Sequence, residues 1–198
     1  MNQPTVFLAR HGKTSMNTGD GNDRLKGTRI DLPLTSEGKK QAERDAEKLA
    51  QFDIASIKHS PLKRSSETAR IVSDRVGIKS DSADGLHPWD VGFMSGQKRD
   101  AFEPLIRWFI EHPDQPVRDG ESYRDFFDTF GRELARELAA ANRQPEKARV
   151  LVSHSCGLLA AEAILKGDEP KPHVGDMPGT GRIMRISKAN GKWKISWL

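Results

Sequence analysis

The sequence predicts an α/β fold, a three-layer α/β/α sandwich with a mostly parallel central sheet and a C-terminal β-hairpin at the sheet edge. Three observations carry this reading. Short apolar runs at 6–9 and 150–152 have the length and composition of buried strands. Stretches with apolar residues three and four apart separate the strand-like runs, as helical crossovers between parallel strands require. Two alternating runs flank Asn190-Gly191, a strong local signal for a hairpin. At 198 residues the chain fits one domain, 1–198, with a loop and helical insertion at about 77–120.

The first strand stops at Arg10, His11 and Gly12, and Gly12 lets the backbone turn and approach a ligand. Residues 18–23 are turn formers and read as an exposed loop. Thr35 is a suitable N-cap for a helix over 36–51, where Ala42, Ala46, Leu49 and Ala50 share a face. A short strand at 54–58 precedes Ser60-Pro-Leu-Lys-Arg64, in which Ser60 reads as the N-cap and Pro61 as the first helical residue. Arg64 then falls in the first turn, beside a strand end and a positive helix terminus, where an anion is favoured. Residues 78–96 are irregular around Gly85-Leu-His-Pro-Trp-Asp-Val-Gly92, a loop composition that often carries function.

An amphipathic helix is expected at 101–110, a loop at 113–120, and the longest helix at 122–142. In the last, Phe126, Phe127, Phe130, Leu134 and Leu138 form one buried stripe. The strand at 149–153 ends, like the first, at a histidine, His154. A helix at 158–166 follows and stops at Gly167. Alternating runs at 182–187 and 192–197 complete the hairpin.

Hydrophobic residues make up 35% of the chain and charged residues 30%, which describes a folded domain with a charged surface rather than a disordered one. No apolar run is long enough to span a bilayer and the first residues lack a signal-peptide pattern, so a cytoplasmic protein without membrane partners is expected. One cysteine, Cys156, permits no internal disulfide. The net charge of +4 is spread without a basic block or interleaved aromatics, so nucleic-acid binding is not favoured. Several cations converging on one small anion account for the excess equally well.

Arg10 offers a fork of donors suited to phosphate oxygens, and His11 a nitrogen that titrates near neutrality. A lone Arg-His-Gly tripeptide is explained as well by a surface turn. Arg64 and His154 tilt the balance, because all four side chains would emerge at strand carboxyl ends along one sheet edge, where ligands bind in open α/β sheets.

The chain resembles the histidine phosphatase superfamily, also called phosphoglycerate mutase-like. The likeness rests on Leu8-Ala-Arg10-His11-Gly12-Lys-Thr14-Ser-Met-Asn17, then Gly27, Asp31-Leu-Pro-Leu-Thr35, Glu37-Gly38 and Gln41-Ala42. It continues at Ser60-Pro-Leu-Lys-Arg64, Thr68-Ala69, Gly120-Glu121-Ser122 and Val152-Ser-His154. It implies phosphomonoester hydrolysis through a phosphohistidine on His11, with Arg10, Arg64 and a protonated His154 holding the phosphoryl group. Asn17, Thr14, Gly12 and Ser155 would complete the substrate-binding set. No metal or cofactor is implied, and the six histidines show no HExxH-like spacing.

The family's proton-donating glutamate stands four residues before a glycine, and counting back from Gly92 gives Pro88. Asp90 is the carboxylate nearest to that position and His87 the other candidate donor. Phosphoglycerate mutase-like transfer, and a catalytically weak module that binds phosphorylated ligands, are the rival readings. The expected partner is a small phosphorylated substrate whose identity, like the oligomeric state, the sequence leaves open.

Overall fold

A computed structural model describes residues 3–17, 23–169 and 178–198; most of the loop expected at 18–23 lies outside them. The strands are β1 (Thr5–Arg10), β2 (Ile54–His59), β3 (Ser80–Ser82), β4 (Ala148–Ser153), β5 (Ile183–Ala189) and β6 (Lys192–Trp197). The helices are α1 (Ser36–Leu49), α2 (Lys63–Val76), α3 (Arg99–Glu111), α4 (Tyr123–Arg143) and α5 (Ser155–Lys166), with two short 3-10 turns between β3 and α3.

The strands form one sheet in the order β3-β2-β4-β1-β5-β6. The four from β3 to β1 are parallel, and β5 and β6 add antiparallel at the β1 side. The expected mostly parallel sheet with an edge hairpin is therefore what forms. At the hairpin, Asn190 and Gly191 both have positive φ, 53° and 78°, as a two-residue turn matched to strand twist requires.

Alternation along β1 divides the core in two. Val6 and Leu8 join Leu151, Phe126, Phe130, Leu134 and Leu158 on the side covered by α4 and α5. Phe7 and Ala9 join Ala46, Leu49, Ala69, Val72, Val150 and Val152 on the side of α1 and α2. Because β1 and β4 bury side chains on both faces, their sequences are almost wholly apolar. Truncating a side chain as buried as Phe130 to alanine costs about 3–5 kcal/mol in such cores.

Helix α3 begins at Arg99, two residues before its expected start, and two other helix starts differ as well. Helix α2 begins at Lys63 with Leu62 in the N-cap position and no side-chain cap. Ser60 does not cap it; its hydroxyl lies 2.9 Å from Nε2 of the buried His154 and accepts from the Leu62 N–H at 3.5 Å. Helix α5 begins three residues earlier than its apolar pattern, directly after His154. Thr35 and Ser122 do cap α1 and α4, accepting from the N–H groups of Gly38 at 3.0 Å and Asp125 at 3.0 Å. Strand β3 was not expected, since Ser80-Asp-Ser82 is polar and forms only the sheet edge.

Candidate active site

Strands β1 and β4 are neighbours in parallel register, with Arg10 opposite Ser153, so the residues that follow them emerge side by side. The His11 and His154 rings lie 5.1 Å apart, edge to face. The chain turns sharply after His11, and a Cβ on Gly12 would fall 2.3 Å from the carbonyl oxygen of Gly38. Glycine is therefore required where this turn passes α1. The Gly12 N–H is held by Thr68 Oγ1 on α2 at 3.1 Å.

His11 is buried, 2% exposed, and its Nδ1 lies 2.7 Å from the Gly12 carbonyl oxygen. A carbonyl only accepts, so Nδ1 carries the proton and Nε2 keeps its lone pair. Burial, then the charges of Arg10 and Arg64, hold its pKa well below the ordinary histidine value. The ring is thus a neutral imidazole with one fixed tautomer.

His154 is neutral for a related reason but wired differently. Its Nδ1 accepts from Arg64 Nε at 3.3 Å, which leaves Nε2 as the N–H that meets Ser60 Oγ. Burial and the neighbouring Arg64 push its pKa well down. The protonated His154 expected from the resemblance is not the form favoured by these surroundings.

Arg64, 1% exposed, lies behind the cavity wall rather than on it. Besides His154, it donates from Nη1 to Ile30 O at 2.8 Å and from Nη2 to Gly27 O at 3.0 Å. Three of the five guanidinium donors are thereby used. Arg10 donates from Nη1 to the Pro178 carbonyl. Its Nε is buried without a hydrogen-bond partner among the described residues. Burial lowers both guanidinium pKa values to about 10, and both groups remain charged near neutrality.

Asn17 is best oriented with its amide nitrogen donating to Thr14 Oγ1 at 2.8 Å. Its oxygen then accepts from Arg10 Nη2 at 3.3 Å and from Lys26 Nζ at 2.9 Å. The opposite orientation would turn an NH2 group on two cations. Nothing in the sequence singles out Lys26, which follows the turn formers at 18–23 in an extended connection. Burial, then Arg10 and Arg64, bring its pKa down to about 7.

These residues open on a cavity of about 630 Å³. Arg10, His11, Asn17, Lys26, His154 and Ser155 supply polar lining, and Trp89, Val91, Ile106, Ile110 and Leu159 supply apolar wall. The lining holds six Lys or Arg against two Asp or Glu, an excess equal to the whole chain's net charge of +4. The basic character of the sequence is thus focused where an anion would sit.

Asp90 is not brought to this cavity. Its Oδ1 accepts from the Gly92 N–H at 3.0 Å and lies 3.4 Å from Arg29 Nε, so it closes a turn and pairs outward. His87 also lies off the lining, with Nδ1 2.8 Å from the Pro88 carbonyl oxygen and 3.7 Å from Glu121. Glu121, given no role from the sequence, pins this loop. Its carboxylate accepts from the Asp90 N–H at 2.8 Å and its carbonyl from Trp89 Nε1 at 3.2 Å. Burial raises its pKa. Its place in Gly120-Glu121-Ser122 was the signal that could have marked it.

No helix among the described residues is long and apolar enough to cross a membrane. The sequence profile of the histidine phosphatase superfamily (branch 1) matches residues 6–198. The chain is 27% identical over 191 residues to the "uncharacterized phosphatase PhoE" of Bacillus subtilis (strain 168), covering 96% of this chain and 91% of that one. It is 31% identical over 159 residues to the "probable phosphoglycerate mutase GpmB" of Enterobacter sp. (strain 638), covering 77% and 70%. The fold matches a mycobacterial glucosyl-3-phosphoglycerate phosphatase with a TM-score of 0.81 at 23% identity, over 98% of this chain and 97% of that one. With an Arg-His-Gly turn and a second histidine at adjoining strand ends, and a profile match over nearly its whole length, the chain belongs to the histidine phosphatase superfamily.

Proposed function

We propose that the protein is a phosphomonoester hydrolase in which His11 Nε2 accepts the phosphoryl group and then yields it to water. The observation that carries this reading is the His11 tautomer. A buried neutral imidazole with Nδ1–H tied to the Gly12 carbonyl presents a lone pair beside Arg10, whose Nε is an unused buried donor. Phosphoryl transfer demands mainly positioning and neutralisation of charge on the phosphoryl oxygens.

Arg10 supplies its free N–H groups, Arg64 its positive charge from behind the cavity wall, and Asn17 spaces Arg10 from Lys26. His154 Nε2–H is released from Ser60 to a phosphoryl oxygen. An incoming dianion of about −1.5 to −2 charge favours protonation of this ring, and the second proton would go to Nδ1 and displace the hydrogen bond from Arg64 Nε. Thr14 fixes Asn17, Gly12 gives the backbone its turn, and Ser155 lines the cavity. The carboxylate of Asp90 serves the turn at Gly92 in this scheme and not the chemistry.

The alcohol part of the substrate lies against Trp89, Ile106, Ile110 and Leu159. A relative named as a phosphoglycerate mutase motivates a second reading, return of the phosphoryl group to another hydroxyl. Incubation with a phosphomonoester, followed by separation of free phosphate from isomerised ester, tests the choice. Free phosphate that disappears in His11→Ala is expected. Isomer without phosphate supports the mutase, and neither product with retained phosphate binding supports a binding module.

A further inference from the structure

A phosphate ester of an ordinary alcohol leaves as a strongly basic alkoxide unless it is protonated as the P–O bond breaks, and such assistance is typically worth about 10²–10⁴-fold. The hydrolytic reading above therefore needs a proton donor in the cavity, and Pro88, Asp90 and His87 do not provide one. Among the lining groups, Glu103 is paired with Arg107 on α3 at 3.7 Å. Burial raises the pKa of Tyr123 and of Cys156, so both hold their protons too tightly.

Lys26 meets the requirement by position. Lys26 lines the same cavity as His11, its ammonium is tied to Arg10 through the shared Asn17 oxygen, and it makes longer contacts of 3.4 Å to Met16 O and 3.5 Å to Arg24 O. A flexible four-carbon stem lets such a group turn to an ester oxygen without disturbing the backbone. We propose that Lys26 is the acid of the first step and the base of the second, a catalytic residue for the hydrolysis on which this inference rests.

In the first step His11 Nε2 forms a bond to phosphorus while the P–O ester bond breaks. The ester oxygen takes that electron pair and a proton from the Lys26 ammonium, giving alcohol, phosphohistidine and a neutral amine. In the second step the amine takes a proton from water as its oxygen bonds to phosphorus. The P–N bond breaks, its pair returns to His11, and phosphate leaves with Lys26 again protonated. The proton on His11 Nδ1 stays hydrogen-bonded to the Gly12 carbonyl throughout.

The surroundings suit both roles. Arg10 on β1, Arg64 on α2 and Arg99 at the start of α3 oppose the ammonium, Asp23 favours it, and with burial they bring its pKa to about 7. His11 and His154, both neutral, face the same space. An acid with a pKa near the working pH can donate and be restored within one cycle.

Hydrolysis of phenyl phosphate and of 2,4-dinitrophenyl phosphate by wild type, Lys26→Met and Lys26→Arg tests this, because only the poor phenolate leaving group needs the proton. Both variants are expected to lose about 10²–10⁴-fold in kcat/KM on phenyl phosphate and far less on the dinitrophenyl ester. Lys26→Arg keeps the charge but cannot release its proton, so it should not rescue. Equal losses on both esters, or rescue by arginine, would overturn the proposal and make Lys26 a phosphoryl-binding cation. Rapid-quench trapping of phosphate on His11 in the same proteins keeps the two claims apart. Trapped phosphate with equal losses defeats Lys26 alone, whereas no trapped phosphate in wild type defeats the hydrolytic reading and this one with it.

Discussion

Strands β1 and β4 lie side by side, run in the same direction and each deliver a buried histidine to one cavity, yet the two imidazoles carry opposite tautomers. The chain after β1 turns on Gly12, whose carbonyl accepts the hydrogen bond from His11 Nδ1–H and leaves Nε2 bare. The chain after β4 enters α5, and His154 is held at both nitrogens, by Arg64 Nε and by Ser60 Oγ. The difference shows that the strand-end position does not assign a role. In the proposed mechanism the partner of the other ring nitrogen does, with one histidine the nucleophile and its neighbour a donor.

Breaking the His11 side should cost most. His11→Ala is expected to lower kcat/KM on the order of 10⁶-fold, as removal of a covalent nucleophile does, measured with an activated aryl phosphate. On the other side, His154→Gln removes one donor to the transferring group. A loss of about 10²–10³-fold in kcat is expected, in line with deleting a single transition-state donor. If the two variants were equally impaired, the division of labour between the rings would be wrong.

Stability against pH sharpens what the histidines share. Both have folded pKa values well below the ordinary 6.5, so the unfolded chain binds protons that the folded chain refuses. This contribution is fully present above about pH 6.5 and is lost as pH falls from there toward the folded values. The urea midpoint should therefore drop between pH 7.5 and pH 5.5, and drop less in a His11→Asn, His154→Asn double variant. The smallest effect is expected at Asp90, where alanine removes a turn-closing hydrogen bond worth about 0.5–1.5 kcal/mol and leaves kcat/KM within an order of magnitude. A larger loss, confined to poor leaving groups, would return the acid role to Asp90 and take it from Lys26.

Much of this contrast is legible in the sequence, and its limits have physical reasons. Strands β1 and β4 declare themselves because burial on both faces demands unbroken apolar runs, and His11 and His154 follow directly from where those runs stop. The hairpin is legible because its turn needs residues that tolerate positive φ. Ser60 was misassigned as a helix cap because its hydroxyl lies against a ring ninety-four positions away, which no local pattern encodes. Strand β3 has no apolar signature because an edge needs none. Asp90 was chosen for its chemistry near the expected position, but a turn two residues long had already claimed its carboxylate. Lys26 looks like one more polar loop residue until folding brings Arg10, Arg64 and Asn17 around it.

The central claim, that His11 Nε2 carries the phosphoryl group, is tested most directly by rapid quench. Wild type, His11→Ala and His154→Gln are mixed with a radiolabelled activated phosphomonoester, stopped in base and mapped by peptide. The account predicts acid-labile, base-stable label on the peptide containing His11 in wild type, slower labelling of that peptide in His154→Gln, and none in His11→Ala. Label on the peptide containing His154, or turnover with no labelled histidine at any time point, would contradict it.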